Sequence, residues 1–196
     1  RTVLWSRESP LDLATADLTP AVVAAGRVVL LDAHQPAAAA HAARCARDAG
    51  IPTVLDIDAT GPDQDALLAG MDIIITSAEF PEAFTGAAGL GAALSALATR
   101  FKPRIVCATL GRQGSLAIVA GEEIQTAGFK VPVVDSTGAG DAFRGGFIAG
   151  WLADGAHAQV DSVLTYANAV AALSCGQLGA RTGLPTRKEV ARVVSG

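Results

Sequence analysis

Hydrophobic positions gather into four short, uninterrupted runs: Val28–Leu31, Thr53–Ile57, Ile73–Thr76 and Ile105–Ala108. None alternates with polar residues, and β-branched side chains dominate. This pattern predicts strands buried on both faces of a parallel sheet. Helical stretches lie between the runs. Pro36 opens the clearest one, at a first-turn position where its missing N–H costs nothing, and Gly50 closes it. Asp63–Gly70 and Gly86–Arg100 predict two more helices. Strand and helix in alternation imply right-handed crossovers and a layered α/β domain.

Beyond Ala108 the pattern changes. Ser115–Val119 and Ile124–Ala127 flank Ala120-Gly121-Glu122-Glu123, which predicts a hairpin, and Lys130–Val134 predicts a further strand. Gly138–Leu152 and Val160–Cys175 then predict helices. No linker or repeat divides the chain, so residues 1–196 are expected to form one α/β domain.

Composition supports a large core: 51% of the 196 residues are hydrophobic and only 17% charged, against about 25% charged in ordinary domains. The net charge of −4 and the lack of any Lys/Arg-rich run exclude a nucleic-acid surface. The longest apolar stretches, such as Val163–Cys175, are too short and too polar to span a bilayer. Cys45, Cys107 and Cys175 form no CxxC pair or metal-ligand spacing, so they are expected to be buried free thiols in a reducing, cytoplasmic setting. Neither His34, His41 nor His157 has zinc spacing. Trp5 and Trp151 are read as packing residues. The chain starts at Arg1 and its only methionine is Met71, which predicts that it begins inside a longer reading frame or follows a cleavage.

The densest chemistry is the run Asp135-Ser136-Thr137-Gly138-Ala139-Gly140-Asp141, followed by Phe143, Arg144, Gly145 and Gly146. Here a strand is expected to enter a turn of small residues that opens a helix. Gly138 and Gly140 permit close backbone approach, and the first free N–H groups of the helix converge where its dipole is positive. Such a turn binds anions. Asp141 has two readings: a cap at the helix start, or a general base beside the anion. Other motifs fail on the residues present. A dinucleotide-binding GxGxxG would need glycine where Phe143 stands, and neither a GK[ST] loop nor a GxSxG elbow occurs. Arg144, just inside the helix, is within reach of a phosphate but is read by default as facing solvent. Asp32 ends one predicted strand, and Asp56 and Asp58 end the next, at the edge where α/β sheets bind ligands. Each is either a polar loop residue or a contact to a substrate.

Taken together, Asp135–Asp141 with Phe143 and Gly145-Gly146 resembles the second signature of the ribokinase-like (PfkB-type) carbohydrate kinases. Thr109-Leu110-Gly111-Arg112-Gln113-Gly114-Ser115 resembles that family's TxGxxG turn beside the ATP phosphates. Gly179-Ala180-Arg181-Thr182-Gly183-Leu184-Pro185 resembles its C-terminal cation-site loop. The resemblance covers the chain as the C-terminal two-thirds of a family member. It implies a three-layer α/β/α fold with a mainly parallel sheet and a C-terminal β-hairpin, lacking the N-terminal strands and lid, with residues 1–7 as the end of the lid region. It also implies ATP-dependent phosphorylation of a monosaccharide, with a nucleoside kinase or a non-catalytic binding relative as the rival outcomes.

Residue by residue, the resemblance makes Asp141 the base, in contact with the acceptor, and Gly138, Ala139 and Gly140 the anion hole. Thr109, Gly111, Gly114 and Asn168 would border ATP. Many family members hold a monovalent cation, and here K⁺ would meet Asp135, Thr137, Ser174, Gln177, Gly179 and Gly183. The family's Asn-x-x-Glu motif, which positions Mg²⁺, aligns with Ser77-Ala78-Glu79-Phe80, so Ser replaces Asn and Phe replaces Glu. Glu79 is the nearest stand-in for the Mg²⁺-positioning group, with Glu82 as an alternative, and a solvated helix-start glutamate is the competing reading. Partners implied are a sugar and ATP, with no nucleic acid and no membrane, and a homodimer formed through the lid of the longer protein.

Overall fold

The computed structural model describes residues 12–154 and 159–195. Trp5, His157 and the expected lid remnant at residues 1–7 lie outside them. Four strands, β1 (Val29–Asp32), β2 (Thr53–Ile57), β3 (Ile73–Ser77) and β4 (Ile105–Thr109), pair in parallel in that order. β5 (Gly114–Val119) and β6 (Glu122–Ala127) continue the same sheet antiparallel.

The helices are α1 (Pro20–Val23), α2 (Pro36–Asp48), α3 (Gln64–Leu68), α4 (Phe80–Thr85), α5 (Leu90–Phe101), α6 (Ala139–Asp154), α7 (Val160–Ser174) and α8 (Arg187–Ser195). Short 3-10 turns occupy Thr15–Asp17 and Gly111–Gln113.

Alternate residues of the parallel strands feed two cores. Leu55, Ile57, Ile74 and Val106 pack with Ala39 and Ala43 of α2, Leu67 and Leu68 of α3, and Leu94 and Leu97 of α5. Val54, Ile73, Ile75, Ile105 and Cys107 meet Phe143 and Phe147 of α6 and Val163, Leu164 and Ala167 of α7. Helices on both faces explain why β2, β3 and β4 are buried without alternation. Phe143 and Phe147, spaced i,i+4, press α6 onto the sheet, and truncating either would cost about 3–5 kcal/mol. Pro36 stands at the first position of α2, and Gly50 follows the helix with φ +69°.

Four expectations need correction. The run Val28–Leu31 is not buried on both faces: β1 is the sheet edge, its residues alternate between half-buried and exposed, and Leu30 is 49% exposed. Lys130–Val134 forms no strand: Pro132 has no N–H to donate, Val133 and Val134 are exposed, and the Val134 N–H goes to the Cys175 carbonyl. The helix expected over Gly86–Arg100 starts later, at Leu90, because Gly86 (φ +72°) terminates the separate helix α4 and Gly89 (φ +90°) intervenes. Arg144 does not face solvent; only 4% of it is exposed. All three cysteines are buried free thiols, and burial pushes the Cys107 thiol up to about 12. Among the described residues, no helix is long and apolar enough to cross a membrane.

Candidate active site

The parallel register aligns the carboxyl ends of the strands. Asp32 pairs with Asp56, and Ser77 with Thr109. Asp32 and Asp56 share a sheet face with Val54, the face that α6 and α7 cover. The sheet thus delivers its polar strand ends to the N-terminus of α6.

That N-terminus is built by the small-residue turn. Gly138 adopts φ +76°, and a Cβ there would come within 2.6 Å of the Ala180 Cβ and 3.1 Å of its Cα, so only glycine fits against the 176–183 loop. The Ala139 N–H donates to the Ser136 carbonyl at 3.2 Å and closes the turn. Among the described residues, the Gly140 and Asp141 N–H groups find no backbone acceptor and remain open to an anion. Of the three residues expected to form the anion hole, Ala139 therefore has its amide engaged inside the turn.

Asp135, not Asp141, organises the turn. Its Oδ1 accepts from the Thr137 N–H at 2.9 Å and its Oδ2 from the Gly179 N–H at 2.8 Å. The Val134 and Asp135 N–H groups both donate to the Cys175 carbonyl. Gly183 lies directly against the Ser174 carbonyl, where a Cβ would collide. Asp135, Thr137, Ser174, Gly179 and Gly183 are thus brought together, and Gln177 lies in the same loop. Asp141 stands third in α6, is exposed, and accepts no hydrogen bond among the described residues. Its carboxylate makes no capping bond.

A cavity of about 690 Å³ runs beside this turn. Its wall includes Thr109, Gly111 and Gly114, Ala139 and Gly140, and Asn168. The buried Asn168 amide donates to Ser115 Oγ (3.1 Å) and to the Thr126 carbonyl (3.4 Å), which fixes its orientation. At Gly114 (φ +100°) a Cβ would strike the backbone at Thr126–Gly128, so the turn closes tightly on β6. The volume lies within the range of small-molecule sites.

Glu79 and Glu82 are exposed at the start of α4, while Phe80 is buried in the core. Among the described residues, no three His, Cys, Asp or Glu side chains stand close enough to hold a metal ion.

Residue-by-residue reasoning missed the pairing of Arg144. Its guanidinium is buried between two carboxylates, with Nη2 on Asp56 and on Asp58 Oδ1 (3.0 Å). Burial pushes the Asp56 carboxyl up to about 6; Arg144 works against this, while the charges of Asp58, Asp141 and Asp32 reinforce it. The available signal was a repeated aspartate, Asp56 and Asp58, in an otherwise apolar strand.

Comparison with known proteins agrees with this architecture. Residues 8–187 match the pfkB family carbohydrate kinase profile. The ATP-dependent ribose-1-phosphate kinase of Halopiger xanaduensis is 37% identical over 169 residues, covering 85% of this chain and 54% of that protein. The ribokinase of Haemophilus influenzae is 32% identical over 152 residues, 76% of this chain and 49% of that one. The chain thus spans about half the length of these curated relatives. The structure of Arabidopsis thaliana ribokinase complexed with ribose and ATP superposes with a TM-score of 0.79 at 27% identity, covering 94% of this chain and 60% of that one. The ribokinase-like α/β fold, the glycine turn and the match over most of the chain place this protein in the pfkB family of carbohydrate kinases.

Proposed function

We propose that this chain is the phosphoryl-transfer core of an ATP-dependent sugar kinase, acting on a primary hydroxyl of a monosaccharide, with residues 1–196 as one α/β domain. The observation that carries the reading is the cavity running from the Thr109 turn to Gly140, with the unpaired Asp141 carboxylate next along the helix. ATP lies in this cavity, bordered by Thr109, Gly111, Gly114 and Asn168, with its γ-phosphoryl group at the Gly140 and Asp141 amides. The acceptor oxygen attacks phosphorus, the bond to the β-phosphate oxygen breaks, and ADP leaves. Asp141 takes the hydroxyl proton, late, because the transition state is loose.

Oriented amides at the helix start stabilise the transferring charge without reorganising. Magnesium on the nucleotide neutralises phosphate charge when bound. The Asp135 carboxylate and the carbonyls of Thr137, Ser174, Gln177, Gly179 and Gly183 would hold K⁺, whose charge would reinforce the turn. Glu79 is the residue nearest in sequence to a magnesium-positioning role. In the full-length protein, Asp141→Asn is expected to lower turnover by about 10²–10⁴-fold while nucleotide affinity stays within about threefold. Near-normal turnover would remove the base assignment. The absence of ADP formation by the wild-type protein with any of a panel of sugars would favour a binding protein instead.

A further inference from the structure

Arg144 stands three residues after Asp141, so both side chains project from neighbouring positions on α6. Its side chain is only 5% exposed, and its Nη2 bridges Asp56 and Asp58. The same guanidinium lies against the turn: a Cβ on Gly140 would come within 2.6 Å of Nη1. Its Nε is buried without a partner. A guanidinium taken out of water is costly unless paired, and removing one member of a buried pair leaves an uncompensated charge. Without Arg144, the Asp141 end of α6 would face Asp56, Asp58 and Asp32 with no cation between them, and all of these charges already act on Asp56. The guanidinium also joins segments 86 residues apart in sequence, the start of α6 and the end of β2.

We propose that Arg144 is the positioning residue of this site: it ties the first turns of α6 to Asp56 and Asp58 and thereby fixes Asp141 and the Gly140 amide for phosphoryl transfer. This rests on the reading of Asp141 as the base. Both carboxylates engage the same nitrogen, Nη2, and this pairing holds the start of α6 to the end of β2. Gly140 belongs to the same device, since any side chain there would displace Nη1.

The test uses the full-length protein, with ribose and ribose 1-phosphate as probe acceptors, and follows ADP formation. Arg144→Met is expected to lower kcat by about 10- to 100-fold, as small displacements of a reacting group do, with KM for ATP within about threefold. Arg144→Lys should recover part of this loss. The Arg144→Met/Asp56→Asn double variant should be no slower than Arg144→Met alone, because the two residues act as one unit. The acid limb of the pH–kcat profile should move upward in Arg144→Met. The groups facing Asp56 are Arg144 and Asp141 from α6, Asp58 from its own strand end and Asp32 from β1, so losing the cation leaves only carboxylates there. Far-ultraviolet circular dichroism reports the folded fraction.

Wild-type kcat in Arg144→Met overturns the proposal. So does an effect confined to KM for ribose 1-phosphate, which would make Arg144 an acceptor-phosphate ligand. A kcat loss that tracks the folded fraction, with an unmoved pH limb and no rescue by lysine, also overturns it. Full activity in Asp141→Asn, or no ADP formation by the wild type with any acceptor, instead sinks the underlying kinase reading and the positioning role with it.

Discussion

Two glycines on one helix should respond oppositely to the same substitution. Gly146 and Gly150 both lie on α6, one turn apart, and both face α7. A Cβ at Gly146 would sit 2.9 Å from the Val170 Cβ, 3.0 Å from its Cγ2 and 3.1 Å from the Ala167 Cα. A Cβ at Gly150 would meet Val163 at 3.5 Å and Tyr166 at 3.7 Å, which are ordinary contacts. In each case Gly→Ala gains about 1 kcal/mol of helix propensity. At Gly150 nothing opposes that gain, so Gly150→Ala should be stabilised by about 1 kcal/mol. At Gly146 overpacking costs about 1–3 kcal/mol, because a backbone carbon and a β-branched side chain are the atoms that would have to yield.

The two variants should therefore differ by about 2 kcal/mol, which is about 4–8 °C in Tm for a chain of this size. Thermal melts of the two variants beside the wild type measure the difference directly. Equal stabilisation of both would refute the inference that close approach of α6 to α7 at Gly146 sets the helix position. Because α6 begins with the Gly140–Asp141 turn, Gly146→Ala should also lower ADP formation while Gly150→Ala leaves it unchanged.

Other outcomes follow from the same structure. Replacing Na⁺ or Li⁺ with K⁺ should raise ADP formation, and Asp135→Ala should flatten that response; a flat response in the wild type would remove the cation role of Asp135. Carboxyl ¹³C titration should place Asp56 at about 6, and Arg144→Met should move it higher by removing the one lowering influence. Because this lies above the usual carboxylate value of 3.8, ionisation of Asp56 weakens the fold as pH rises through about 6, and a midpoint near 4 would refute the burial argument. Cys107, fully buried with its thiol pushed up to about 12, should resist alkylation in the native protein. Peptide mapping that found it modified as fast as in the unfolded chain would contradict that placement.

Strands β2–β4 were legible because burial on both faces leaves an unbroken apolar run, a signature that survives without tertiary information, whereas β1 carries the same run at an edge where Leu30 is exposed. The hairpin was legible from Ala120-Gly121, and both residues adopt positive φ, at 52° and 86°, in the two-residue connection between β5 and β6. Val131, Val133 and Val134 misled because β propensity describes a side chain's fit to a pleated surface, and here no neighbouring strand supplies one. Helix α4 was hidden because Pro81 and Gly86 confine it to the six residues Phe80–Thr85, too few to establish a period. The turn at Asp135–Asp141 could be read because its chemistry is contiguous. Arg144 could not, because its partners lie on β2 and only the crossover brings them to it.

That crossover also reconciles two requirements that conflict in the chain alone. An anion-binding turn must attract a triphosphate, yet Asp141 and three further aspartates stand at the same sheet edge. The structure separates them across the first turn of α6. The cavity wall includes Ala139, Gly140 and Phe143 but neither Asp141 nor Asp56, so in the proposed reading open amides and apolar surface would face the nucleotide. The carboxylates gather on the side of β1 and β2, where Arg144 offsets part of their charge. In the proposed reaction, the γ-phosphoryl group would cross this boundary at Gly140, the one position where a side chain would obstruct the guanidinium beside the transfer path. A side chain at 140 would meet only the flexible end of Arg144, so glycine there leaves the guanidinium in its place in the electrostatic partition, a constraint that a motif written as a string of letters does not convey.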